Sequence, residues 1–234
     1  MLTVVLPWVF MASQVRWRPP VRTASGALVQ PLCVITASMD RSMLVWQPED
    51  TGGVWSPVVR VGEVGGNTLG FYGGLCNQSG TAVLAHGYHG SLHLWRRASA
   101  EAAAASASAS AAATGAGTGG EGESEDVQDM SGHWEPALAA AGHYAPVMDA
   151  TWGTNSEYLV TASSDQTCRI FAPWCPGDAT TDGSGSGDGV SVWRELGRPQ
   201  VHGYDMTCCA VPPLPGSPHR LMSGADEKVR RGVC

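Results

Sequence analysis

The sequence predicts an all-β fold assembled from about four repeated four-stranded units. Three observations carry that prediction. The first is a hairpin that recurs at residues 32–47, 82–95, 158–171 and 221–228. Apolar and β-branched residues lead into small residues and a polar turn, and the first three copies end on an aromatic: Trp46, Trp95 and Phe171. The second is spacing. Trp46 and Trp95 lie 49 residues apart, and Trp95 and Phe171 lie 76 apart, or 45 once the 31 residues of the low-complexity tract 98–128 are set aside. Four-stranded repeats of ~40–45 residues are propeller blades. The third is composition: thirty glycines and nine tryptophans beside three phenylalanines fit many short strands with aromatic punctuation. A sandwich or an open barrel has similar strand density, but neither predicts a repeated small-small, turn-Asp, aromatic pattern.

The elements follow in order. Residues 1–12 (MLTVVLPWVFMA) form an atypical N-terminal segment. It is too short for a spanning helix of ~20 apolar residues and lacks the basic start of a secretory signal. Residues 13–64 hold blade one, with strands at Val15–Trp17, Cys33–Ser38, Met43–Trp46 and Trp55–Val61 and a loop over Arg22–Gln30. Residues 65–141 hold blade two, whose last two strands are separated by the tract 98–128. That tract is Ala, Ser, Gly, Thr and acid with no aromatic, so it cannot offset its ordering entropy and is expected to be disordered. Residues 142–197 hold blade three, with a second disordered linker at 176–189. Residues 198–234 hold a truncated blade four, in which no apolar third strand follows Val229.

A net charge of -7 argues against a surface built mainly for nucleic acid. The basic doublets Arg96-Arg97 and Arg230-Arg231 read as solvated strand ends. Seven cysteines without C-x-x-C spacing read as small apolar residues in a reducing compartment, with no metal set.

The most informative polar pairs are His143 with Asp165 and His202 with Asp226. In a blade, a His ahead of the first strand donates to an Asp in the turn between strands two and three. A Ser or Thr on strand two, here Ser38, Ser163 or Ser223, and Trp46 or Trp95 on strand three extend the network, with Asp40 as the turn residue of blade one. A His-Asp-Ser set also resembles a hydrolytic triad, but recurrence blade by blade suits a structural clamp. The run Gly115–Gly120 matches G-x-G-x-x-G without the strand and helix a phosphate loop requires, and H-E-x-x-H and G-x-S-x-G are absent. No catalytic, cofactor or metal residue is expected. The stretch Arg60–Tyr72 (RVGEVGGNTLGFY) is a long glycine-rich connection. It reads either as a loop needing left-handed glycines or as a partner-contact loop presenting Arg60, Glu63, Asn67, Thr68, Phe71 and Tyr72.

That stretch, with Ala85–Trp95 (AHGYHGSLHLW), Ser164–Trp174 (SDQTCRIFAPW), Arg198–Asp205 (RPQVHGYD) and Ser223–Val229 (SGADEKV), closely resembles the Elongator complex protein 2 family of WD-repeat propellers. The resemblance covers nearly all of Gln14–Val229 outside the two linkers. It implies a partial WD-repeat β-propeller of about four blades, a fragment from the later part of the family's first propeller, acting as a non-catalytic scaffold. It also implies a cytoplasmic and nuclear complex that modifies the wobble uridine of tRNAs and has been linked to transcription elongation and histone acetylation. The implied partners are other Elongator subunits, chiefly the large scaffold subunit and the catalytic radical-SAM/acetyltransferase subunit. Contact with tRNA would be at most indirect, and no membrane is implied. A peptide or histone-tail reader outside Elongator is the alternative.

Overall fold

The computed structural model describes residues 12–23, 26–49, 53–62, 70–98, 130–174, 192–201, 203–212, 219–227 and 231–233. The expected disordered tracts, 98–128 and 176–189, lie outside these residues apart from Ala98, as does most of the segment 1–12.

Blade one contains β1 (Ala12–Trp17), β4 (Val34–Ser38), β5 (Ser42–Pro48) and β6 (Trp55–Gly62), hydrogen-bonded in that order. Blade two contains β7 (Phe71–Cys76), β8 (Ala82–Gly87), β9 (Leu92–Arg97) and β10 (Trp134–Ala137). Blade three contains β11 (Val147–Trp152), β12 (Leu159–Ser163), β13 (Thr167–Trp174) and β14 (Val192–Val201). All pairings are antiparallel, as strands joined by short turns require. Blade four pairs β15 (Met206–Ala210), β16 (Leu221–Ala225) and β17 (Arg231–Val233). The sequence offers no apolar third strand after Val229, yet the backbone of Arg231–Val233 pairs with Leu221–Ser223. The stretch Arg22–Gln30 also differs from its reading as a loop. Val21–Arg22 and Leu28–Val29 form a two-stranded ribbon, β2 and β3.

The central strands β4, β8 and β12 are buried at every position. Neighbouring blades cover both faces of β8 and β12, and in β4 the second face lies under Trp46 and Trp55 of its own blade, so period-two alternation gives way to continuous VITAS, AVLAHG and LVTAS. One core cluster joins blades one and two through Ile35, Met43, Val45, Phe71, Val83 and Trp95. Others join blades two and three, and blades three and four. Successive first strands pack together, β1 on β7, β7 on β11 and β11 on β15. The result is a partial propeller with its first strands innermost. Among the described residues no helix is long and apolar enough to cross a membrane.

Candidate functional site: the hairpin-turn face

In blade one the turn is closed by local hydrogen bonds. Asp40 accepts from the Ser42 amide at 2.8 Å and the Ser42 hydroxyl at 2.6 Å, and its own amide donates to Ser38 Oγ at 3.2 Å. Burial pulls the Asp40 carboxyl upward, but bonds from Ser42 and Ser38 and the charge of Arg60 outweigh it. The pKa falls below the usual value. The Trp46 indole donates not to Ser38 but to Thr36 Oγ1, at 2.9 Å.

Blade three repeats this frame and adds charge. The Asp165 amide donates to Ser163 Oγ at 3.1 Å, and Asp165 Oδ1 accepts from the Thr167 amide at 3.0 Å and hydroxyl at 2.6 Å. Its other oxygen faces His143 Nδ1 at 2.7 Å and accepts from Arg169 Nη2 at 3.2 Å. A carboxylate only accepts, so Nδ1 carries the proton and Nε2 accepts from the Thr161 hydroxyl at 2.7 Å. Burial lowers the His143 pKa against the pull of Asp165, which keeps the ring neutral. Burial raises the Asp165 carboxyl, but hydrogen bonds from Thr167 and His143 prevail and hold it below its usual range. Arg169 extends the chain to Glu195 at 3.0 Å, which in turn accepts from Arg198 at 2.6 Å. Phe171 stands where blade one has Trp46, edge-on to His143 with centroids 6.3 Å apart.

This arrangement is a clamp. Ser163 Oγ donates to the Ala145 and Pro146 carbonyls at 3.1 and 2.8 Å, so its hydroxyl hydrogen serves the chain entering β11 and not the His143 ring. In blade two the turn position is His89, which is exposed, and Trp95 is buried against Phe71 and His93. In blade four His202 lies outside the described residues. Ser223 is buried opposite Cys209, as Thr161 lies opposite Ala150, so by register it matches Thr161 and not Ser163. Asp226 is exposed, and its amide donates to the Asp205 carbonyl at 2.9 Å.

The Arg60–Tyr72 connection begins and ends on the turn of blade one. A Cβ on Gly62, whose φ is +121°, would lie 2.3 Å from the Arg41 carbonyl oxygen, and one on Gly70 would lie 2.2 Å from Met39. Glycine is therefore required at both ends of the connection. One blade further, a Cβ on Gly90 (φ +75°) would lie 2.5 Å from the His143 carbonyl oxygen. Each of these turns is thus seated against the entry to the next blade. Of the proposed contact residues, Arg60 is exposed and Tyr72 is half-buried beside Tyr88, with centroids 5.8 Å apart. Phe71 is 1% exposed and belongs to the core, whereas Glu63, Asn67 and Thr68 lie outside the described residues.

Sequence reasoning missed a second network, among the innermost strands. Arg16 of β1 passes blade two to pair with Asp149 of β11 and donates to the Ala150 carbonyl at 2.8 Å. Asp149 also accepts from the Ala150 amide and, at 2.9 Å, from the Cys209 amide of β15. His86 of β8 is fully buried and donates through Nδ1 to the Val147 carbonyl at 2.7 Å. Burial lowers its pKa to about 4. Cys33, Cys76, Cys168 and Cys209 are buried thiols, and burial pushes Cys33 up to about 11. Among the described residues no group of three or more His, Cys, Asp or Glu is gathered around a possible metal position.

Comparison with known proteins agrees with this architecture. The family model for the WD domain, G-beta repeat, matches residues 134–171, which run from β10 through β13. The sequence repeat is therefore offset from the sheet by one strand. Elongator complex protein 2 of Arabidopsis thaliana is 40% identical over 227 residues, covering 96% of this chain and 23% of the relative. Its namesake in Danio rerio is 36% identical over 224 residues, 96% of this chain and 21% of the relative. That of Dictyostelium discoideum is 30% identical over 226 residues, again 96% and 21%. The chain spans about a fifth of the length of these relatives.

Proposed function

Because this chain belongs, over the stretch it spans, to the Elongator complex protein 2 family, we propose that it is a non-catalytic WD-repeat scaffold of Elongator. In this reading it supports assembly of the complex that modifies wobble uridines in tRNA, in the cytoplasm and nucleus. Its partners are the large scaffold subunit and the catalytic radical-SAM/acetyltransferase subunit, with tRNA contacted at most indirectly. The observation that best supports a scaffold is where the polar chemistry goes. Both nitrogens of His143 are engaged, by Asp165 and Thr161, and Ser163 is spent on the neighbouring backbone. A hydrolytic triad needs the His free to take a proton from the Ser. Affinity purification of the tagged chain, followed by mass spectrometry, tests the proposal. Recovery of other Elongator subunits is the expected result, and their complete absence overturns it.

A further inference from the structure

The fourth strand of blade two is shorter than those of its neighbours. In blade one β6 accompanies β5 from Pro48 to Ser42, and in blade three β14 accompanies β13 from Trp174 to Thr167. In blade two β9 spans Leu92–Arg97, but β10 pairs only with its residues from Leu94 to Arg97. The register shows what is left open. The Arg97 amide donates to the Thr81 carbonyl at 2.9 Å, and the Ala98 amide to the His133 carbonyl at 2.9 Å. Counting back by twos, Trp95 and His93 turn their backbone groups to β8, whereas Arg96, Leu94 and Leu92 turn theirs toward the fourth strand. The Gly87 amide keeps the same phase, donating to the Ser91 carbonyl at 3.1 Å. Arg96 faces Glu135 and Leu94 faces Ala137, but the N–H and C=O of Leu92 meet no partner among the described residues.

This edge opens onto a cleft of about 660 Å³ between blades one and two. Val61 lines it from β6, and His93, Trp95, Trp134 and Pro136 line it from blade two. Leu92 and Leu94 line it as well, although their side chains belong to the core between blades two and three, so what they present to the cleft is strand edge. The residues that follow β10 do not fill it. Leu138, which the register would set opposite His93, is 63% exposed, and Ala140 is buried in the core between blades two and three, which draws the chain off β9. The connection 63–69 has both ends seated on the turn of blade one, Gly62 against Arg41 and Gly70 against Met39. An unpaired strand edge is a template for a further strand, and backbone pairing there is one of the recurring modes of peptide recognition. Opposed side chains of an antiparallel pair share a face, so a residue opposite His93 enters the cleft and the next one exchanges both backbone bonds with Leu92. The lining carries one charged side chain, Arg60, and is otherwise mainly apolar, which suits an apolar residue at the entering position. We propose that the open edge of β9 takes up a short extended segment of a partner protein, seating one apolar side chain opposite His93 and pairing the next residue with the Leu92 backbone.

The test is fluorescence anisotropy of a labelled octapeptide, alternating Thr and Leu between terminal lysines, with the full chain. Saturable binding is expected. With Leu in the cleft, the Thr amides face Leu92 and the Leu amides face away, so N-methylation of the Thr amides should weaken binding about tenfold and N-methylation of the Leu amides should not. Amide hydrogen exchange followed by NMR locates the site. The Leu92 amide should exchange readily in the free chain and about tenfold more slowly with saturating peptide. No saturation by ~1 mM overturns the proposal, as does equal weakening by the two methylations or a Leu92 amide that bound peptide leaves unchanged. A Leu92 amide already protected in the free chain assigns the edge to residues of this chain, or to a second copy if the protection grows with protein concentration. Either result overturns a partner segment. None of these outcomes depends on membership of Elongator.

Discussion

Replacing Asp165 by Asn tests whether the blade-three clamp carries stability. Asp165 is fully buried and accepts from Thr167 twice, from His143 and from Arg169. An amide can keep the Thr167 bonds and still face His143. It cannot balance Arg169, which is 4% exposed in its side chain and would keep the Thr167 hydroxyl and, of its two carboxylates, Glu195. Removing one partner of a buried ion pair costs ~3–5 kcal/mol, and the retained bonds place the expected loss at the lower end, about 3 kcal/mol. Asp40 provides the internal comparison. It makes the same turn bonds to Ser42 but is exposed, so Asp40→Asn should cost less than ~1 kcal/mol. Urea unfolding followed by tryptophan fluorescence gives both numbers. Losses that agree within ~1 kcal/mol would refute the assignment of Asp165 as a charged hub.

Three further outcomes are expected. Gly90→Ala should cost ~2–3 kcal/mol by the same assay, since left-handed strain is joined by overlap with the His143 carbonyl; Gly26→Ala, with φ +83° and nothing within 4 Å, should cost only ~1 kcal/mol. His86 titrates near 6.5 when unfolded but at about 4 when folded, so its contribution is complete above 6.5 and is lost as pH falls toward 4. About 2 kcal/mol should disappear between pH 7 and 5 from this residue, with the lowered His143 adding in the same direction, and His86→Asn should flatten the loss. Arg16→Met keeps the aliphatic stem but leaves Asp149 without its cation. Calorimetry should show a loss of ~2–3 kcal/mol, less when Asp149→Asn is added, whereas strict additivity would mean the two do not interact.

The blades were legible because their signals are local. β-branched runs, a turn of Met39-Asp40-Arg41 or Ser164-Asp165-Gln166 and a following aromatic all fall within a dozen residues. His143 and Asp165 were legible for the same reason, being 22 residues apart within one repeat. Arg16 and Asp149 are 133 residues apart, on strands without shared periodicity, and no pattern in the chain joins them. Thr36 and Thr161 were hidden differently. Each lies two residues before the Ser that the motif suggests, and only the strand register shows which hydroxyl faces the ring. By the same register Ser223 takes the place of Thr161 in its blade.

The seating of each turn on the next blade's entry confines where the chain can grow. At that rim Gly70 and Gly90 fit against the backbone of an adjacent blade with no room for a methyl group, so a residue added at either seat would force neighbouring blades apart. The long tracts instead depart after Ala98 and Trp174 and rejoin ahead of β10 and β14, where each strand pair is already registered. Lengthening such a connection from ~4 to ~30 residues costs only about 2 kcal/mol of closure entropy. The turn rim is thus closed to insertion at the two glycine seats, Gly70 and Gly90, while the opposite rim accepts it at little thermodynamic penalty.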